Sequence, residues 1–77
     1  MSSSKHQSLI TLTGTHLGES AKAIRFRVTQ VGNDPLDPPK CEWFPFSQVE
    51  KIHTDKNLEG ADWIMVSEWI CKQKELI

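Results

Sequence analysis

The 77-residue sequence lacks most of the features that assign a chain to a functional class at once. It has two cysteines, no tyrosine and almost balanced charge, with nine basic and ten acidic side chains for a formal net charge of −1. That balance removes the simplest argument for a strongly polyanion-binding protein. No apolar run approaches the roughly 20 residues that a membrane helix needs, so we expect no membrane-spanning function. The length and the hydrophobic content of 38% predict one small domain.

Cysteine and histidine residues are too few and too widely spaced to suggest a metal site. Residues 1–7 are small and polar and contain no apolar stretch like that of a secretory signal. We therefore expect a cytoplasmic protein with a disordered tail over residues 1–7 and reduced thiols at Cys41 and Cys71. Zinc ligands usually come in close sequence pairs, which this chain does not offer. The sequence predicts no metal and no cofactor.

Alternating apolar and polar residues predict that residues 8–77 form a single domain made mainly of β-strands. The clearest alternation lies in residues 21–31, where Ile24, Phe26 and Val28 share one side of a half-buried strand. Further strands are predicted over residues 8–14, 40–46, 49–53 and 61–66, with polar turns or loops over residues 15–20, 32–39 and 54–60. Because prolines cannot donate to a ladder, residues 32–39 are not expected to form a central strand.

The C-terminal residues predict one helix, over about 67–76. Ser67 is a favourable N-cap, and Glu68 suits the positive end of the helix dipole. A helix this short must pack on the sheet, and the stripe expected to do so is Trp69, Ile70, Gln73, Leu76 and Ile77. The predicted fold class is α+β and mostly β, with about five short antiparallel strands in a curled sheet or small open barrel and one C-terminal helix.

No sequence motif assembles a catalytic site. The chain has no nucleophile elbow, no glycine-rich phosphate loop, no paired metal-binding histidines and no paired cysteines. A Cys–His pair could be drawn from Cys41 or Cys71 with His53, but a small domain more commonly contains plain unreactive thiols. We therefore predict a protein that is not an enzyme and has no catalytic residues.

The aromatic residues are the most informative feature of the sequence. Consecutive large side chains must point to opposite faces of a strand, so some of them are expected near the surface. The candidate partner-binding residues are Trp43, Phe44, Phe46 and Trp63. They predict docking onto a protein partner, or onto a second copy, through an exposed aromatic surface. The open alternative is that a closed barrel, the helix and the 32–39 loop bury all of them.

A second functional hypothesis is single-stranded nucleic-acid binding. Arg25 and Arg27 lie on the polar side of the strand over residues 21–31, and Trp43 could share that side on a neighbouring strand. With Lys40, these residues would form a basic and aromatic platform of the kind on which bases stack. Acidic residues over residues 32–39 and 54–62 count against this hypothesis, because they would repel a phosphate backbone if they flank the platform.

Two segments resemble small, mostly uncharacterised proteins encoded by phages and prophages. The first is a W-x-P-x-S-Q segment at residues 43–48, and the second is a closing helix at residues 66–76 that contains E-W-[IL] followed by lysine and leucine. The resemblance extends over roughly residues 21–77. It implies an intracellular accessory protein that acts on host machinery or on DNA metabolism in a bacterial cell. Phe44, Phe46 and Ser67 depart from the pattern, where isoleucine, a basic residue and proline are expected, and the missing basic residue weakens a nucleic-acid role.

Overall fold

Five antiparallel strands and one short helix make up the fold in the computed structural model, which describes residues 8–55, 57 and 61–77. The predicted disordered tail and most of the predicted turn over residues 54–60 lie outside the described residues. The strands are β1 (Leu9–Glu19), β2 (Ala23–Val31), β3 (Asp34–Pro45), β4 (Val49–His53) and β5 (Asp62–Ser67), and the helix is α1 (Glu68–Gln73). They form one curled, unclosed sheet in the order β3-β2-β1-β5-β4, with β3 and β4 at its edges. The predicted fold class is confirmed.

One face of the sheet holds the hydrophobic core, and we call it the inner face. On β2, Ile24, Phe26 and Val28 are fully buried there, whereas Arg25 and Arg27 are exposed on the opposite, outer face. The alternation along β2 therefore separates buried from exposed side chains, as the sequence predicted. Eleven buried residues form the core: Leu12, Ile24, Phe26, Val28, Val31, Phe44, Ile64, Val66, Ile70, Cys71 and Leu76. The last three belong to α1 and the residues after it, so the helical segment packs on the inner face.

The strand β1 runs five residues past Gly14, where the sequence predicted a turn over residues 15–20. It stays in the sheet because irregular steps in its pairing with β2 absorb the change in register on both sides of residues 14–16. Gly14 is required for this approach, since a Cβ atom there would lie 1.8 Å from the carbonyl oxygen of Arg27. The turn that follows is short and centres on Ser20, whose backbone N–H donates to the carbonyl of Ala23 at 2.8 Å.

The proline-rich segment is also a strand, which corrects the prediction of a loop over residues 32–39. A tight turn at Gly32 and Asn33, with Gly32 at a positive φ of 60°, leads directly into β3 at Asp34. An edge strand uses only one side of its hydrogen-bonding groups, so it tolerates residues without an N–H. The pairing with β2 is irregular only between Pro35 and Lys40. β3 ends at Pro45, one residue before the end of the strand predicted over residues 40–46, and a 3-10 turn over Phe46–Gln48 leads to β4.

The helix begins at the predicted N-cap but buries a different set of side chains. The hydroxyl of Ser67 accepts a hydrogen bond from the N–H of Ile70 at 3.2 Å and donates one to Oε1 of Gln48 at 2.6 Å. It therefore links the start of the helix to the 3-10 turn that precedes β4. Trp69 is 53% exposed, so the predicted stripe is wrong at this residue, whereas its members Ile70 and Leu76 are buried as predicted.

The shortness of α1 explains that correction. Glu75 has a positive φ of 58°, and the N–H groups of Glu75 and Leu76 donate to the carbonyls of Lys72 and Cys71, as in a Schellman cap. The helix therefore ends at Gln73, and Leu76 returns to the core through this cap rather than through helical periodicity. Two further members of the predicted stripe, Gln73 and Ile77, are exposed.

Candidate functional site

The outer face brings together an arginine pair and an exposed tryptophan. Residues that are directly opposite in an antiparallel pair project from the same face. In the pairing of β2 with β3, Arg25 lies opposite Trp43 and Arg27 lies opposite Cys41. Trp43 is 45% exposed, and both arginines are exposed. This half of the outer face therefore presents a large aromatic ring beside two cations.

The other half of the outer face lies on β5 and β4 and contains a stacked ring pair. Trp63 is opposite Thr13 of β1 and His53 of β4. Its ring lies 5.2 Å from the imidazole of His53, with an angle of 12° between the two planes. Met65 follows on the same face, opposite Lys51. Between the two halves lie three threonines of β1 with short, half-buried side chains: Thr11, Thr13 and Thr15.

Charge is distributed unequally between the two faces. None of the paired positions on the outer face in the described strands is an aspartate or a glutamate. Paired carboxylates project from the inner face, where Glu42 lies opposite Phe26 and within 3.6 Å and 3.7 Å of the amines of Lys40 and Lys74. Within the described part of the chain, Arg25 and Arg27 form no ion pair, so both guanidinium groups face solvent with their charge uncompensated.

The predicted partner-binding residues are divided between the two faces. Trp43 and Trp63 lie on the outer face, whereas Phe44 is fully buried in the core. Phe46 is half-buried in the 3-10 turn and packs against the same core. The assignment of Phe44 as a surface residue is therefore corrected, because a residue next to Trp43 on a strand must point to the other face.

The predicted nucleic-acid residues are mostly brought together, with one exception. Arg25, Arg27 and Trp43 are neighbours on the outer face, but Lys40 lies opposite Val28 and belongs to the inner side. Its ammonium group donates to the carbonyl oxygen of Lys74 at 2.6 Å, just after the end of α1. Lys40 thus stabilises the position of the helical segment and is not part of the basic and aromatic cluster.

Trp63 was a predicted site residue, but three further residues of β4 and β5 on the outer face were not predicted: Met65, Lys51 and His53. Once Trp63 is assigned to a strand, Met65 must share its face, so alternation could have identified it. Lys51 and His53 could not be placed, because nothing in the sequence shows that β4 pairs with β5 at the far edge of the sheet.

A pocket of about 340 Å³ also opens on the inner face, lined by His16, Glu19, Ile52, Thr54, Asp55 and Asp62. The buried carboxylate of Asp62 in this pocket accepts hydrogen bonds from the backbone N–H groups of His16 and Asp55, each at 2.8 Å. These two bonds lower the pKa of Asp62 below its ordinary value of 3.8. Nε2 of His16 lies 3.1 Å from Oε2 of Glu19. Since these groups satisfy one another, the arrangement has a structural role at the uncovered end of the core.

Comparisons of the chain with protein-family models, with curated proteins and with solved structures find no match. Among the described residues, no helix combines the length and the apolar character that crossing a membrane requires. The same residues contain no cluster of histidine, cysteine or acidic side chains that could hold a metal ion. The outer face, with its exposed tryptophan and unpaired arginines, is the most distinctive surface of the described chain and is the candidate functional site.

Proposed function

We propose that the protein is a non-catalytic binding module that docks a partner protein through the outer face, around Trp43. The observation that carries this proposal is the combination of a half-exposed tryptophan with arginines and no carboxylate at the paired positions of that face. Tryptophan, methionine and arginine are enriched in the centres of protein interfaces, whereas aspartate and glutamate are depleted there. The outer face has this composition, with Trp63 and Met65 completing the apolar part.

The charge of the outer face indicates the chemistry of the partner. Arg25 and Arg27 project beside Trp43 and have no ion-pair partner in the described part of the chain. A complementary surface would accept the indole in an apolar pocket and place carboxylates opposite the two guanidinium groups. The preferred partner is thus a protein with an acidic rim around an apolar depression.

The biological setting of the proposal comes from the resemblance to phage and prophage proteins. On that basis the protein is an accessory protein in the cytoplasm of a bacterial host, and its partner is a host or phage protein. The hydrogen bond between Ser67 and Gln48 links residues 43–48 and 66–76 in this chain, but Ser67 stands where the pattern has proline, so the bond is not part of the resemblance. It does not bear on activity, so the outer face has to be tested on its own.

The test compares two tryptophans of similar exposure in different places. Tagged wild-type protein, Trp43→Ala and Trp69→Ala are used to capture proteins from a nuclease-treated bacterial lysate, and the captured partner is purified and titrated by calorimetry. Trp43 is 45% exposed on the outer face, and Trp69 is 53% exposed on α1. We expect Trp43→Ala to weaken binding by at least about tenfold, as removal of an interface anchor does, and Trp69→Ala to bind like the wild type. Equal affinity of all three proteins would contradict the proposal.

A second candidate function, single-stranded nucleic-acid binding, is favoured by one specific observation. Arg25 and Trp43 are directly opposite each other, which places a cation beside a surface on which a base could stack. If Arg25, Arg27 and Lys51 each neutralise one phosphate, the affinity should fall with a log–log salt slope of about −2. Quenching of tryptophan fluorescence by an oligothymidylate, lost in the Arg25→Ala/Arg27→Ala variant and retained in Lys72→Ala, would support this function. Quenching that is independent of salt and of the arginines would exclude it.

A further inference from the structure

The two edges of the sheet differ in their capacity to accept another strand. Four prolines (residues 35, 38, 39 and 45) lie in the edge strand β3, and each removes a backbone donor. The opposite edge strand, β4, contains no proline, and four of its five residues are exposed. In the described part of the chain its only strand neighbour is β5. The second side of β4 is therefore the edge at which the sheet could be extended.

We propose that β4 pairs antiparallel with β4 of a second copy, so that the two five-stranded sheets become one continuous sheet. Antiparallel pairing of a strand with itself has a two-fold axis, and a two-fold interface must be self-complementary. With the axis between Glu50 and Lys51, Glu50 of each copy lies opposite Lys51 of the other. Opposite residues must share a face, and the irregular step between Val49 and Lys51 makes this possible, because it interrupts the alternation of faces at Glu50. The same register places Val49 opposite Ile52 of the other copy.

The charges of β4 select this register over its neighbours. An axis through Lys51 would set the two lysines directly against each other, and an axis through Glu50 would do the same with the two glutamates. Like charges directly opposite are destabilising, whereas opposite charges stabilise a cross-strand pair. Only the register centred between the two residues gives two attractive pairs and no repulsive one.

The apolar residues of β4 agree with the same register. Val49 lies opposite Val66, and Ile52 lies opposite Ile64, so both project from the inner face. Ile52 is 41% exposed in the single copy, which is unusual for isoleucine on a face that otherwise forms the core. Pairing with Val49 of the second copy would cover it. Lys51 lies opposite Met65 on the outer face, and in the proposed register Glu50 of the other copy would project from that face beside it.

The pairing would also make the outer faces of the two copies continuous. A two-fold axis perpendicular to the sheet keeps both outer faces on the same side. The irregular step between Val49 and Lys51 in the pairing with β5 is a feature that weakens edge pairing. We therefore expect a reversible dimer whose population rises with protein concentration. This proposal rests on β4 alone and holds whether or not the outer face binds a partner protein.

The experiment is a charge swap with rescue, followed by analytical ultracentrifugation of the full chain over a wide range of concentrations. Lys51→Glu and Glu50→Lys each replace the attractive pairs by repulsive ones, and we expect each to weaken dimerisation at least tenfold. The double variant Glu50→Lys/Lys51→Glu restores two attractive pairs in the same register, so its dimerisation should return to within about threefold of the wild type. Circular dichroism of each variant checks that these exposed substitutions leave the fold intact.

Three outcomes would overturn the proposal. The first is a wild-type protein that is monomeric at every concentration. The second is a dimer that the single substitutions do not weaken, which would place the interface elsewhere, and the third is a double variant that is not rescued. Trp43→Ala serves as the control for association through the outer face, and we expect it to dimerise like the wild type. A dimer lost in Trp43→Ala and kept in Lys51→Glu would assign self-association to the outer face instead.

Discussion

The inner and outer faces of the sheet are formed by the same strands but differ in composition and in burial. On the inner face, apolar side chains from all the central strands meet the helical segment and leave almost no exposed surface. On the outer face, tryptophan and methionine stand among arginines and threonines with nothing packed over them in the described chain. Burial of apolar surface accounts for the first pattern. It does not account for the second, and for this reason the outer face is the candidate site.

The neighbouring residues Phe44 and Trp43 offer the strongest way to break this comparison. Phe44→Ala removes a fully buried ring, so we expect it to lower the free energy of unfolding by about 3–5 kcal/mol. Trp43→Ala removes a half-exposed ring from the other face, and we expect a loss below about 1 kcal/mol. Urea unfolding followed by circular dichroism measures both.

Phe44→Leu provides a milder inner-face variant in case Phe44→Ala leaves too little folded protein to analyse. It should fall between the other two in stability, because leucine refills part of the space. If Trp43→Ala proved as destabilising as Phe44→Ala, the outer tryptophan would be a core residue, and its proposed role in binding would fail.

The buried carboxylate of Asp62 is the main polar group at one end of the inner face, and replacing it measures how much its hydrogen bonds stabilise the fold. Asp62→Asn weakens the bonds that the carboxylate accepts from the N–H groups of His16 and Asp55, and we expect a loss of about 1–2 kcal/mol at neutral pH. Because folding lowers the pKa of Asp62, its contribution is fully present above the ordinary value of 3.8 and is lost as the pH falls through the lower value of the folded state.

Acid unfolding therefore separates Asp62 from an ordinary surface carboxylate. The stability of Asp62→Asn should change less with pH on the acid side than that of the wild type, whereas Asp37→Asn, at an exposed position on β3, should follow the wild type. Parallel acid-unfolding curves for wild type and Asp62→Asn would show that the two backbone bonds do not stabilise the carboxylate.

How much of this contrast could be predicted from the sequence depends on the strand. The two sides of β2 follow from simple alternation, and Ser67 was identified as a helix cap from its residue type and position. The extension of β1 beyond Gly14 carries no apolar alternation, and it depends on bulges that only the pairing with β2 creates. Trp69 was misplaced because a six-residue helix is too short for its periodicity to decide which side is buried.

The candidate site was only partly predictable for a related reason. Residue types singled out Trp43, Arg25 and Arg27, but the register that sets Trp43 opposite Arg25 is a long-range property of the pairing between β2 and β3. Lys40 differs from them, because it lies three residues before Trp43 on the same strand and alternation alone places the two residues on opposite faces. A prediction of faces therefore needs the register as well as the pattern.

The two cysteines give the smallest expected effect and the most direct comparison of the faces in one molecule. Cys41 is exposed on β3, and Cys71 is buried on α1. Burial, with a smaller contribution from the negative charge of Glu68, raises the pKa of Cys71 to about 11. In the folded protein a thiol reagent should modify Cys41 at once and Cys71 only after urea is added, with Cys41→Ala and Cys71→Ala assigning the two phases.

The raised pKa also predicts a small loss of stability in alkali. The folded state holds the thiol proton more tightly than the unfolded chain, so this contribution is present below the ordinary pKa of 9.0 and is lost as the pH rises towards about 11. Cys71→Ala should lack this part of the alkaline decline, and Cys41→Ala should retain it. If Cys71 reacted as fast as Cys41 in the native protein, α1 would not be held over the inner face. Both faces would then be open to solvent, and exposure of Trp43 would no longer distinguish the outer face.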